Sequence, residues 1–168
     1  MMISKLKVVL LLAAWCACVS CALGAPQDAA DTIRAAGITG GLVVQVGSDG
    51  LSLQSLGERF HVRLLLPDDP ATAKAQTTID EAGLQGRFTA STWTGGALPF
   101  ADRVVNALIL AGAQPIAPAE AQRVLVPRGV LISTDGWQVM PVPDTIDEWT
   151  HYLYDASGNA VSKDKEVG

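Results

Sequence analysis

Short apolar or β-branched runs at 42–46, 61–66, 87–92, 104–110 and 129–133 alternate along the chain with segments whose apolar residues recur every three to four positions. Such runs predict strands buried on both faces, and the segments between them predict the helices that bury them. The first helix spans 28–36, Ala-rich, with Asp28 at its start and Gly37 just past its end. The second opens at Pro70 and runs to about Ala82, with Ala71, Ala75, Ile79 and Ala82 on one face and Gly83 and Gly86 stopping it. The third spans 118–125 and opens on Pro118. Residues 51–56 make a short helix at best, and Ser133-Thr134-Asp135-Gly136 reads as the turn out of the fifth strand. This alternation predicts an α/β fold: a parallel sheet of about five strands, right-handed crossovers, and helices on both faces.

The first residues change where that fold would work. Lys5 and Lys7 precede an apolar run from Val8 to Leu23, and Ala22-Leu23-Gly24 before Ala25-Pro26 is a small-residue cleavage pattern. Residues 1–24 read as a signal peptide, which places the rest in the periplasm, on the cell surface or outside the cell. A retained anchor is one rival, but a span needs about 20 apolar residues and this run is shorter. A lipid-attached form through Cys21 is another, although Cys18 stands where such signals usually carry Leu.

Cys16, Cys18 and Cys21 all lie in the leader, so the exported chain has no cysteine for a disulfide, a thiol nucleophile or a metal. Removing Lys5 and Lys7 from the 12 Lys and Arg leaves 10 against 17 Asp and Glu, with no basic block. That balance argues against nucleic acid as a partner and confines membrane contact to the leader or a lipid. His61 and His151 have no second histidine or carboxylate at ligand spacing, so no metal site is expected. Residues 25–143 make one domain, and 144–168 a linker.

Candidate chemistry centres on Gly47-Ser48-Asp49-Gly50, where the run at 42–46 stops. Glycines between a buried strand and a helix let backbone N–H groups approach a ligand closely, as in nucleotide loops. Such a loop usually carries three glycines. Asp49 stands at the place of the middle one and puts a side chain and a negative charge into the cradle. A plain strand-to-helix turn explains the same four residues.

Three stretches carry a family resemblance: Val43-Val44-Gln45-Val46-Gly47, then Leu98-Pro99-Phe100-Ala101-Asp102, then Arg123-Val124-Leu125-Val126-Pro127-Arg128-Gly129-Val130-Leu131. Together they resemble class I S-adenosylmethionine (SAM) methyltransferases, which implies a Rossmann-like fold and a SAM site at Gly47, Ser48, Asp49, Gly50, Asp68 and Trp93. The cofactor positions depart from the family's pattern. Gln45 stands where an acidic residue is usual, and Pro67 where a carboxylate normally accepts both ribose hydroxyls, with Asp68 and Asp69 following it. Thr94 takes the place of the acid that meets the adenine amino group. Trp93 beside it reads as a base-stacking ring or as a core aromatic. Ala111-Gly112-Ala113 offers no acid, base or nucleophile, so no catalytic residue is expected.

Ile146-Asp147-Glu148-Trp149-Thr150-His151-Tyr152, with Asp155-Ala156-Ser157-Gly158-Asn159 after it, resembles the junction in large secreted, planctomycete-type bacterial proteins. There a methyltransferase-like domain precedes a β-propeller related to pyrroloquinoline quinone (PQQ) dehydrogenases. The resemblance implies a propeller beginning near Ser162, with any PQQ held by that propeller. Asp147, Glu148 and His151 otherwise read as solvated linker charges. Two functions follow from different classes: a non-catalytic Rossmann-like module packing against a propeller or an extracytoplasmic protein, and a SAM-dependent methyltransferase acting on a small molecule or a protein.

Overall fold

The computed structural model describes residues 28–48, 50–111 and 116–143. The expected leader, Asp49, Gly112-Ala113 and the expected junction at 144–168 lie outside the described residues.

Helix α1 (Ala29–Ala35) begins where Asp28 takes an extended conformation and its Oδ1 accepts from Ala30 N–H at 3.0 Å, satisfying a donor that the first turn leaves open. Strand β1 (Gly41–Val46) follows, then a 3₁₀ helix (Leu51–Leu56), β2 (Phe60–Leu66), α2 (Asp69–Glu81), β3 (Phe88–Thr92) and β4 (Val105–Leu110). Helix α3 (Pro118–Val124) leads directly into β5 (Leu125–Ser133), and β6 (Gly136–Val139) ends the described fold. The sheet order is β3-β2-β1-β4-β5-β6, parallel except that β6 runs antiparallel to β5. It is an α/β, Rossmann-like arrangement.

Two differences from the expected five strands have local causes. The turn after β5 folds back rather than leaving the sheet: Ser133 pairs with Gly136, whose φ is 131°, and Ser133 Oγ donates to Gly136 O at 3.3 Å. The two-residue loop Thr134-Asp135, with Gly136 opening the return strand, makes this a tight hairpin that the reading of 133–136 as a turn out of the sheet missed. Strand β5 also starts earlier than 129, because its first residues pair across an irregularity. Val105 faces Leu125 while Ala107 faces Val130, and Pro127 sits in that bulge with Arg128 at φ 64°.

Alternation along the strands sends side chains to two cores. On one face Val43, Val62, Leu64 and Ile109 pack with Ile33 of α1, Leu53 of the 3₁₀ helix and Ile79 of α2. On the other, Val44, Leu65 and Leu108 pack with Val124 of α3, Trp93 and Leu98. Helices thus lie on both faces. In α2 the buried stripe is Ala75 and Ile79 with Ala71 partly covered; Ala82, expected on it, is an exposed cap residue. The described residues between β3 and β4 contain no helix, so α3 is the helix packed on the second face among them.

Candidate functional site

In an open α/β sheet the ligand crevice lies outside the carboxyl ends of the strands, where the strand order reverses. Here that point falls between β1 and β4, next to the loop containing Gly47, Ser48 and Gly50. Gly47, at φ 86°, gives its N–H to Leu65 O at 2.9 Å, extending the β1–β2 ladder by one bond. Gly50 precedes the 3₁₀ helix at φ 67° and accepts from Leu53 N–H at 3.0 Å through its carbonyl. A Cβ on Gly50 would stand 2.4 Å from Leu64 Cδ2 and 3.3 Å from Gln45 Oε1. The missing side chain therefore leaves room for the core. Gln45 is 5% exposed, and its Oε1 has no hydrogen-bond partner, a costly state for a buried acceptor. A 3₁₀ helix of six residues, with no side-chain cap, replaces a long helix whose dipole would face an anion.

The carboxylates after β2 are engaged with the chain itself. Asp68 Oδ1 accepts from Ala71 N–H at 2.8 Å and caps α2, while Asp68 O accepts from Thr72 Oγ1 at 2.9 Å. Asp69 Oδ1 accepts from Thr92 Oγ1 at 2.6 Å, and the Thr72 and Thr92 hydroxyls lie 3.0 Å apart. This network ties the start of α2 to the end of β3. The Asp68-Asp69-Pro70 helix start is visible in the sequence, but Thr92 as the partner of Asp69 is set by the β2–β3 register. Trp93, 7% exposed, lies in the second core; its backbone N–H bonds Leu66 O at 2.7 Å and its indole N–H bonds Ala97 O at 3.1 Å. Thr94 beside it is exposed, as is Pro67. Gly47, Ser48, Gly50 and Asp68 thus gather at adjoining strand ends, and Trp93 is sunk beneath the end of β3. Among the described residues no group of three His, Cys, Asp or Glu is placed to hold a metal.

Sequence reasoning missed a clasp between the second and third resembling stretches. Arg123 of α3 donates to Glu120 Oε2 at 2.9 Å, Glu120 Oε1 at 2.6 Å, Asp102 Oδ1 at 2.6 Å, and the carbonyls of Phe100 and Leu98 at 2.9 and 3.2 Å. Glu120 Oε1 in turn accepts from Leu98 N–H at 2.6 Å. The guanidinium so pins 98–102 to α3, a role its five donors suit. The Glu-x-x-Arg spacing was the available signal. The Arg123 bonds, then the Leu98 N–H, lower the Glu120 pKa from 4.5 to about 2 against a smaller opposing effect of burial; Arg123 is raised in return. A depressed carboxylate contributes stability that is complete above its unfolded pKa and is lost as pH falls toward its folded one. Acid unfolding should therefore steepen between pH 4.5 and about 2. In Glu120→Gln that limb should flatten, as measured by circular dichroism against pH; an unchanged limb would show that the clasp does not govern it.

No family model matches the sequence, and no curated protein does. Solved structures do share the fold. A candidate S-adenosyl-L-methionine-dependent methyltransferase from Methanococcus maripaludis is 22% identical with TM-score 0.53, over 61% of this chain and 51% of that one. A SAM-dependent methyltransferase from Aquifex aeolicus is 20% identical with TM-score 0.52, over 61% of each. The [4+2]-cyclase SpnF is 22% identical with TM-score 0.53, over 62% of this chain and 42% of that one. The chain thus matches about half the length of these proteins. Its fold is methyltransferase-like, a fold that also appears in a protein described as a cyclase, so architecture does not select the chemistry.

Proposed function

We propose that this methyltransferase-like domain is a non-catalytic module of an exported protein, the front of a chain that continues into a PQQ-like β-propeller. Its role in that reading is to pack against the propeller or an extracytoplasmic partner. One observation carries it: several of the polar groups a cofactor would use at the carboxyl ends of the first three strands are engaged with the chain itself. Asp68 caps α2, Asp69 holds Thr92, the Gly47 N–H extends the sheet, and the Trp93 indole N–H is taken by Ala97. The space at Gly50 is closed by Leu64. The Asp68 and Asp69 bonds leave one oxygen of each carboxylate for a ribose, and the Gly47 N–H is withdrawn from a SAM carboxylate, which supports a weakened SAM site. The leader supports the same reading, since SAM is made in the cytoplasm. PQQ, where present, belongs to the propeller.

The likeness to solved SAM-dependent methyltransferases favours a second reading, an exported enzyme that methylates a small molecule or protein. Calorimetric titration of the purified protein with SAM and with its demethylated product separates the two. The module reading expects no heat at millimolar ligand and no change in melting temperature. A ligand held at 100 times its dissociation constant would stabilise the fold by about 2.7 kcal/mol. Micromolar binding that disappears in Gly47→Val would overturn the module reading and revive the exported methyltransferase.

A further inference from the structure

The second face of the sheet is not covered evenly. Register places His61 beside Leu42, and Arg63 beside Val44 and Thr89, so these side chains share the face on which α3 packs. Helix α3 meets β5, and over β2 and β3 the cover is the segment containing Pro99 and Phe100. Between them lies an open groove of about 270 Å³, lined by His61, Arg63, Arg87, Thr89, Pro99 and Phe100 among others. It sits toward the amino ends of β2 and β3, away from the carboxyl-end crevice.

Its charge runs against that of the chain. The protein carries a net charge of −5, yet no acidic residue among the described residues lines the groove. Neither Arg63 nor Arg87 pairs with a carboxylate among the described residues. Arg63 gives one hydrogen bond, to Thr89 Oγ1 at 3.2 Å, which aligns the guanidinium with a hydroxyl and leaves most of its five donors to solvent. Arg87 also lines the groove, with its guanidinium donating to Gly57 O at 2.6 Å and standing 5.8 Å from the Phe88 ring centroid, and its buried Nε has no partner among the described residues. A guanidinium held beside a hydroxyl suits an oxyanion, and the fork geometry of arginine suits phosphate or carboxylate. Pro99 and the half-buried Phe100 supply an apolar wall at the same opening.

We infer that this groove binds a small oxyanion bearing a ring or other apolar group, its phosphate or carboxylate on Arg63 and Thr89 and its apolar part against Pro99 and Phe100. The site is separate from the crevice at the carboxyl ends of the strands, so its test is independent of the SAM titration. Phenyl phosphate, benzoate and inorganic phosphate are titrated into the ¹⁵N-labelled protein by NMR. Phenyl phosphate or benzoate should shift the amides of Arg63, Thr89 and Phe100, and the stronger of the two identifies the head group. Inorganic phosphate should bind the same place more weakly. Arg63→Gln should weaken the better probe about tenfold or more, with Thr89→Val as a smaller change should the first variant fold poorly. Arg34→Gln, on α1, should leave affinity unchanged. Equal affinity in Arg63→Gln and the parent, or the same loss in Arg34→Gln, would overturn the site; inorganic phosphate binding as tightly as phenyl phosphate would overturn the apolar half of it.

Discussion

Gly41→Ala should destabilise the fold by about 3–5 kcal/mol, among the largest single effects available in it, because two penalties combine at one atom. Gly41 opens β1 at φ 116°, a conformation that L side chains rarely adopt. A Cβ there would stand 2.0 Å from Asn106 Oδ1. That oxygen accepts from Leu42 N–H at 2.9 Å and so ties β1 to β4 across the sheet centre. Relieving the overlap moves Asn106 and leaves a half-buried N–H without its acceptor. Gly57→Ala is the control, since its φ is 89° but nothing lies within 4 Å of its Cβ. It should cost only the backbone penalty, about 1–3 kcal/mol for a side chain at φ 89°, ψ −178°. Urea denaturation of both variants measures the difference, and equal losses would show that the Asn106 contact is dispensable.

Gly50→Ala should cost about 2–4 kcal/mol, from a left-handed backbone plus a Cβ forced against Leu64. Leu64→Ala should cost about 2–5 kcal/mol by itself, since Leu64 is fully buried. The two changes meet in one place, because truncating Leu64 vacates the volume that the new Cβ needs. The double variant should therefore be less damaged than the sum of the singles, by about 1 kcal/mol or more. Strict additivity in the denaturation midpoints would mean that Gly50 is glycine for its backbone alone. This cycle also bears on function. It asks whether the glycine that resembles part of a cofactor loop is kept for core packing, as its distances indicate.

Much of the architecture was legible because parallel strands are buried on both faces and so read as runs. Val43-Val44-Gln45-Val46 and Val62 through Leu66 could be placed within a residue or two, as could α2 from its Asp-Pro start. The sixth strand escaped because Gly136-Trp-Gln-Val is short and half-exposed, and only the Asp-Gly step marks it. The early start of β5 escaped for a different reason: Pro127 argues against a strand unless a bulge accommodates it, and the bulge exists through pairing with β4 and with Met140.

The site was less legible than the fold. That Gln45, Pro67 and Thr94 depart from a cofactor pattern is a statement about residue types, which the sequence contains in full. Whether Asp68 is free to bind a ribose is a statement about its partners. Asp68 and Asp69 look alike in sequence, and the structure gives one to a helix cap and the other to Thr92, 23 residues away. Trp93 likewise reads as a ring for stacking or for packing until Ala97 and the second core claim it.

By itself the sequence determined the local terms: strand runs, helix caps, the charge balance, and the absence of cysteine after Cys21. These depend on neighbours along the chain, whose geometry the backbone fixes within a few residues. Only the tertiary structure decided which polar groups are spent and which remain. A hydrogen bond such as Arg123 to the Leu98 carbonyl, or the meeting of Arg63 with Thr89, joins residues 25 and 26 apart, and it forms only once crossovers and register have brought them together.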